Sequence, residues 1–173
     1  MGTSIEMECN NCHFSFEAFL GIGFRFPQVY QDTINAAKEG KFGEIVQSFL
    51  LEHPDGALNC NMVLLQCTSC DELDKGRDLS MYIPKDKPAT HDGIWSVAFP
   101  YKNASYASPR DLKDDYRIIK SYDHICRKCG GKMRPITEDN LTPESYEPYG
   151  IPVNINCPKC HKPMTISGYG MWD

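Results

Sequence analysis

Eight of the nine cysteines in this 173-residue chain fall into four Cys-x-x-Cys pairs, Cys9/Cys12, Cys67/Cys70, Cys126/Cys129 and Cys157/Cys160. A thiolate is a metal ligand, and a tight turn over the two intervening residues aims both sulfurs and the amides beneath them at one centre. One such motif also fits a thioredoxin-like redox site. Four of them supply eight ligands, enough for two tetrahedral four-sulfur sites with no vacancy. Such closed sites point to structural zinc, two ions per chain, ahead of iron or disulfides. A catalytic zinc keeps one position open for water or substrate, so this ligand set argues against a hydrolase or deaminase built on the metals. Nor does the chain carry a phosphate-binding glycine loop, a His-Glu-x-x-His pair or a nucleophile elbow.

The last two pairs are near copies. Cys126-Arg-Lys-Cys129 and Cys157-Pro-Lys-Cys160 are each followed, four residues after the last cysteine, by a methionine, Met133 and Met164. The 27 residues between them carry Pro135, Pro143, Pro148 and Pro152 and suit a ribbon loop rather than a helix. Here the chain resembles the zinc-ribbon superfamily, whose rubredoxin-like members bind one metal through two such knuckles. The resemblance covers about residues 122 to 168, and more loosely 5 to 84. The overall layout also resembles small bacterial double zinc-ribbon proteins without assigned activity. It implies a fold and a metal but no single function. Rubredoxins carry iron and usually a glycine where this chain has His161, and Arg127, Lys128, Lys132 and Lys159 crowd the sulfurs, which favours zinc.

Four pairs can be combined into two sites in three ways. Sequential pairing closes loops of 54 and 27 residues, but closure entropy separates the alternatives by only ~1 kcal/mol. Because ribbons bring similar knuckles together about a pseudo-twofold axis, the near-repeat favours sequential pairing. The expected sites are therefore Cys9, Cys12, Cys67 and Cys70 for one ion, and Cys126, Cys129, Cys157 and Cys160 for the other.

Cys60 is the odd cysteine and reads as a small buried hydrophobe, with an activated thiol beside His53 or His91 as the functional alternative. His13 and His161 directly follow their knuckles, but four thiolates already complete each site, so hydrogen bonding or exposure is expected of both. His124 reads as a solvated strand residue, and His53 as a helix-end residue. Asp71, Glu72 and Asp74 read as a solvated charge run.

Net charge is −5, unevenly spread. Residues 1 to 75 carry eleven acidic and four basic side chains, a balance of −7, whereas 117 to 134 carry Arg117, Lys120, Arg127, Lys128, Lys132 and Arg134 against Asp123, a balance of +5. An anionic partner would meet the chain on that basic stretch, with Tyr116 and Tyr122 available for stacking on bases. A mean hydropathy of −0.45 and 41% hydrophobic residues describe a soluble, cytoplasmic protein with reduced cysteines; no run approaches a membrane span, and no membrane partner is expected.

The elements that must position the knuckles follow from periodicity. Met7 to Phe16 reads as strand, thiolate turn and strand; Val29, Ile34 and Ala37, then Phe42, Ile45, Val46, Phe49 and Leu50, mark a helical hairpin over about 28–52 that ends before Pro54-Asp55-Gly56. Asn61 to Gln66 suits a buried strand delivering Cys67, with a return strand from Asp78 to Pro84. Gly93 to Tyr101 reads as a further strand, with one helical turn after Pro109, and Tyr116 to Tyr122 as the strand entering the last module. The fold class expected is α+β, small and metal-stapled: zinc ribbon 1 over 1–84 with the helical insert, a linker and strand over 85–115, and zinc ribbon 2 over 116–173. The function expected is a protein-interaction module acting through the helical insert or the Trp95 region, with nucleic-acid binding as the alternative and an enzyme with zinc as scaffold third.

Overall fold

The computed structural model describes residues 2–85, 106–137, 140–141 and 152–172. The strand expected over 93–101, the Trp95 region and His91 lie outside the described residues. Within them the protein is α+β and its sheets are antiparallel. The chain forms two compact units, each assembled from separated stretches: residues 1–24, 61–77 and 123–173 make one, and 25–60 with 78–122 make the other. These units do not follow linear divisions at 84 and 116. Among the described residues, no helix is long and apolar enough to cross a membrane.

The first unit is built from four hairpins. β1 (Gly2–Glu8) and β2 (Ser15–Leu20) flank the first Cys-x-x-Cys turn, and β4 (Met62–Cys67) and β5 (Leu73–Arg77) flank the second. β8 (His124–Ile125) and β9 (Lys132–Ile136) flank the third, β10 (Pro152–Asn156) and β11 (Pro163–Trp172) the fourth. One sheet runs β10-β11-β1-β2 and another β5-β4-β9-β8. In both, the first strand of the earlier hairpin pairs with the second strand of the later one: β1 with β11 from Gly2↔Trp172 to Glu8↔Thr165, and β4 with β9 from Leu64↔Ile136 to Cys67↔Met133. The two sheets are one design used twice, the second copy lying in sequence inside the first.

The alternation of side chains along β1 and β2 sends Ile5, Met7, Ala18 and Leu20 to one face. They share a core with Met164 and Ile166 of β11 and with Leu64, Leu73 and Ile136 of the other sheet. β4 is buried along nearly its whole length, since Val63, Leu65 and Cys67 on its opposite face form a second cluster with Cys126 and Met133. That double burial explains why Met62–Leu65 reads as an unbroken apolar run rather than an alternating one. The return strand is β5; the Asp78–Pro84 stretch expected in that role instead yields β6 (Met81–Pro84), which belongs to the second unit.

In the second unit, α1 (Phe26–Lys38) takes Pro27 in its first turn and Lys38 in its last, and Gly40 follows at φ +80°. It packs against α2 (Glu44–Glu52), which begins after Gly43 and is capped at His53. This helix pair is the insert expected over 28–52, but it lies in sequence between the two sheets' hairpins rather than inside a ribbon closed at residue 84. α3 (Pro109–Asp114) carries a complete capping box: the Asp111 amide donates to Ser108 Oγ at 3.2 Å and the Ser108 amide to Asp111 Oδ2 at 2.7 Å. A three-stranded sheet, β3 (Ala57–Leu58), β6 and β7 (Tyr116–Lys120), completes the unit. The strand expected before the third knuckle is present as β7, but it joins the sheet of the second unit, pairing with β6 from Met81↔Lys120 to Pro84↔Tyr116.

Candidate metal centres

All four knuckles share one backbone plan. The amide of the fifth residue donates to the carbonyl of the first cysteine: His13 to Cys9 at 2.8 Å, Asp71 to Cys67 at 3.2 Å, Gly130 to Cys126 at 2.9 Å and His161 to Cys157 at 2.9 Å. The first cysteine's own amide donates to the residue after that, Phe14, Glu72, Gly131 or Lys162, at 2.8 or 2.9 Å. Closing this turn puts the fifth residue in the left-handed region, at φ 57°, 56°, 72° and 58° for His13, Asp71, Gly130 and His161. Only Gly130 meets that demand without steric cost.

The knuckles assemble into two four-sulfur groups, Cys9, Cys12, Cys157 and Cys160 in one and Cys67, Cys70, Cys126 and Cys129 in the other, with the sulfurs of each group within 4.8 Å of one another. In the first, Cys9 Sγ lies 3.4 Å from Cys160 Sγ and Cys12 Sγ 3.5 Å from Cys157 Sγ. In the second, Cys67 is 3.4 Å from Cys129 and Cys70 3.8 Å from Cys126. The sequential pairing expected from the near-repeat is not the one formed. The pairing is nested, and the two similar knuckles occupy equivalent places in different sites, each on the later hairpin of its own sheet. Their likeness marks equivalence between sheets, not partnership around one ion.

The sulfur spacing fits a metal. A tetrahedral ion held at about 2.3 Å by four thiolates sets neighbouring sulfurs about 3.8 Å apart, and the four cross-hairpin contacts of 3.4, 3.5, 3.4 and 3.8 Å lie within a few tenths of an ångström of that spacing. Further amides point at the sulfurs, from Ser69 to Cys67, Gly131 to Cys129 and Lys159 to Cys157, each at 3.4 Å. These bonds favour the charged thiolate. Burial opposes ionisation of Cys67, yet the Ser69 and Cys70 amides and the neighbouring Cys129 and Cys70 thiols overcome it and bring its pKa down to about 6. For Cys160 the Lys162 amide is the leading influence and outweighs burial, again to about 6. The Phe14 amide favours the thiolate of Cys12, but burial and the sulfurs of Cys157, Cys160 and Cys9 together push it up to about 12. In each group, then, one sulfur is shifted toward the thiolate, Cys160 and Cys67, and another toward the thiol, Cys12 and Cys70, as expected of closely packed, interacting sulfurs. The all-thiolate, four-coordinate donor set suits zinc.

The remaining candidates fall around these centres. Neither His13 nor His161 is in a sulfur group; His13 Nδ1 sits 3.1 Å from Glu8 Oε1 and His161 Nδ1 2.7 Å from Asp71 Oδ2. Asp71 is therefore not part of a solvated charge run: its other carboxylate oxygen accepts from Asn156 Nδ2 at 3.3 Å. Glu72 pairs with Lys128 at 2.7 Å. The signal for Asp71 was present in the sequence as a non-glycine residue at a position whose backbone favours glycine. His124, expected to be solvated, is buried in β8. Cys60 is buried at 2% exposure with its thiol 3.6 Å from the Leu58 carbonyl, as its reading as a small hydrophobe requires. The basic stretch is divided: Arg117 and Lys120 lie in β7 of the second unit, and Arg127, Lys128, Lys132 and Arg134 in the first. Lys132 pairs with Asp123 at 3.2 Å, and Arg134 donates to Gln66 Oε1 at 3.0 Å and the Asn154 carbonyl at 2.6 Å.

Compared with known proteins, the chain matches no family model, no curated protein and no solved structure. The two four-cysteine clusters on antiparallel sheets are consistent with zinc-ribbon-like sites.

Proposed function

We propose that the chain is a double zinc-ribbon protein of a reducing compartment such as the cytoplasm, in which two structural zinc ions fold one unit and the other unit binds a protein partner. The observation that carries the structural role is the closure of each site by four sulfurs, which leaves no position for substrate. The ions supply folding free energy that short strands and small cores cannot.

Support for protein binding comes from the second unit. Ile45 of α2 and Ile119 of β7 are 54% and 43% exposed and face one groove between those elements. Ile45, Phe49, Met81 and Ile119 line an open groove of about 400 Å³ together with the charged Glu44, Glu52 and Lys120. A partner segment with apolar anchors and a basic residue facing Glu44 and Glu52 matches that lining. Nucleic-acid binding ranks lower because Lys128, Lys132 and Arg134 already have partners within the chain.

A photo-crosslinking residue in place of Ser48, inside the groove, tests the proposal. It should yield a discrete protein adduct in cells that Ile45→Asp abolishes while zinc stays at two per chain. An adduct indifferent to Ile45→Asp, or none at all, sinks the interaction reading.

A further inference from the structure

Among the described residues, immediate chain neighbours of the ligand cysteines form three hydrogen bonds between the two metal centres. Asp71, which follows Cys70, receives His161 Nδ1 at 2.7 Å and Asn156 Nδ2 at 3.3 Å. His161 follows Cys160, and Asn156 precedes Cys157. Gln66, which precedes Cys67, donates from Nε2 to the Asn156 carbonyl at 3.1 Å. The Cys67/Cys70 knuckle of one site is thereby bonded to the Cys157/Cys160 knuckle of the other at both of its ends.

We infer that the two metal sites are thermodynamically coupled through the Asp71–His161–Asn156 bridge, so that an ion on either site strengthens the other. This rests on the reading of both sites as metal centres. Asp71 and His161 hold left-handed backbone conformations that neither residue type adopts freely. A knuckle pinned by its ion keeps the turn closed and the side chain aimed across the gap. Without the ion the turn can relax, and the carboxylate and imidazole separate. Forming the bridge with one knuckle already fixed costs less ordering entropy than with both loose, which is a source of positive coupling, and coupling between two binding sites is reciprocal.

Glycine is the informative substitution, because it fits the left-handed turn while deleting the bridge. Full-length protein is loaded with one equivalent of zinc, and native mass spectrometry counts the chains carrying no ion, one or two. The wild type should show the empty and two-ion forms at the expense of the one-ion form. Asp71→Gly and His161→Gly cut the same bond from opposite sites, and each should lower the product of empty and two-ion populations, relative to the square of the one-ion population, by about fivefold to tenfold. Both variants should still bind two ions at saturation. An unchanged ratio in either variant overturns the coupling while leaving the metal reading intact. Failure of the wild type to take up two ions overturns the metal reading itself. Should a variant lose one ion outright, chelator-driven release from metal-loaded wild type decides: one concerted phase supports the bridge, and two independent phases refute it.

Discussion

Cys9 and Cys160 place their sulfurs 3.4 Å apart although 151 positions separate them in the chain. The contact closes the outer site, and the β1–β11 ladder that runs up to it from Gly2↔Trp172 is the scaffold that makes it possible.

Nested pairing sets which cysteines fail together. Cys126→Ser should reduce bound zinc from two ions to about one and expose Cys67, Cys70 and Cys129 to alkylation, while Cys9, Cys12, Cys157 and Cys160 stay protected, their ion held less tightly if the bridge couples the sites. Mass mapping of the alkylated peptides reads this directly. Protection of Cys67 and Cys70 together with Cys9 and Cys12 would restore the sequential arrangement.

The knuckle geometry predicts opposite effects for two glycine exchanges. Gly130 is at φ +72°, and a Cβ added there would meet nothing within 4 Å, so Gly130→Ala carries only the left-handed backbone cost, about 1–2 kcal/mol. His13→Gly removes that same cost together with only an exposed contact to Glu8, and should be neutral or stabilising by up to about 1 kcal/mol. Thermal melting of zinc-loaded protein should place Gly130→Ala below the wild type and His13→Gly at or above it, each kcal/mol being worth about 2–4 °C at this size. Equal shifts in the same direction would contradict the conformational account.

Alkaline pH should act first on the second unit. Burial raises the Tyr30 phenol above its ordinary range, and burial, followed by the carboxylates of Asp111, Asp55 and Asp115, raises Tyr116 to about 12. Since the folded state prefers both phenols neutral, their contribution is complete below about pH 10 and is lost as pH rises from there through about 12. Phenolate absorbance followed together with far-ultraviolet dichroism should show these tyrosines ionising as helix content falls. Their titration near pH 10 with the helices intact would refute it. The thiolate centres respond in the opposite sense, releasing metal as acid protonates the sulfurs.

A phosphate-binding face would reveal itself by salt. With Lys128, Lys132 and Arg134 engaged inside the chain, single-stranded nucleic acid should show no measurable binding even at low ionic strength. Binding whose log K falls steeply with log salt, with a slope reduced by about 1 to 2 in an Arg127 and Lys128 double substitution, would reverse the ranking of the two functional readings.

Local features are legible in the sequence alone. The four Cys-x-x-Cys turns, the helix pair around Val29 to Leu50 and the buried strand before Cys67 each depend on residues a few positions apart, where turn chemistry and hydrophobic period act directly. The return strand after Cys70 lies earlier than periodicity suggests, because Leu73–Arg77 is polar and only Leu73 is fully buried, so the hydrophobic pattern leaves it unmarked.

By itself, the sequence determined the ligands: eight thiolates in four turns, each shaped by its own backbone hydrogen bonds. Which turn shares an ion with which was left to the tertiary structure, because closing 54 or 144 intervening residues differs by only ~1 kcal/mol and any knuckle can present the same two sulfurs to any other. The strand ladders decided it. Pairing β1 with β11 buries Ile5, Met7, Ile166 and Met164 together, and pairing β4 with β9 adds Leu64 and Ile136 to the same core. Burial of those faces fixes the register, and the register carries Cys9 to Cys160 and Cys67 to Cys129.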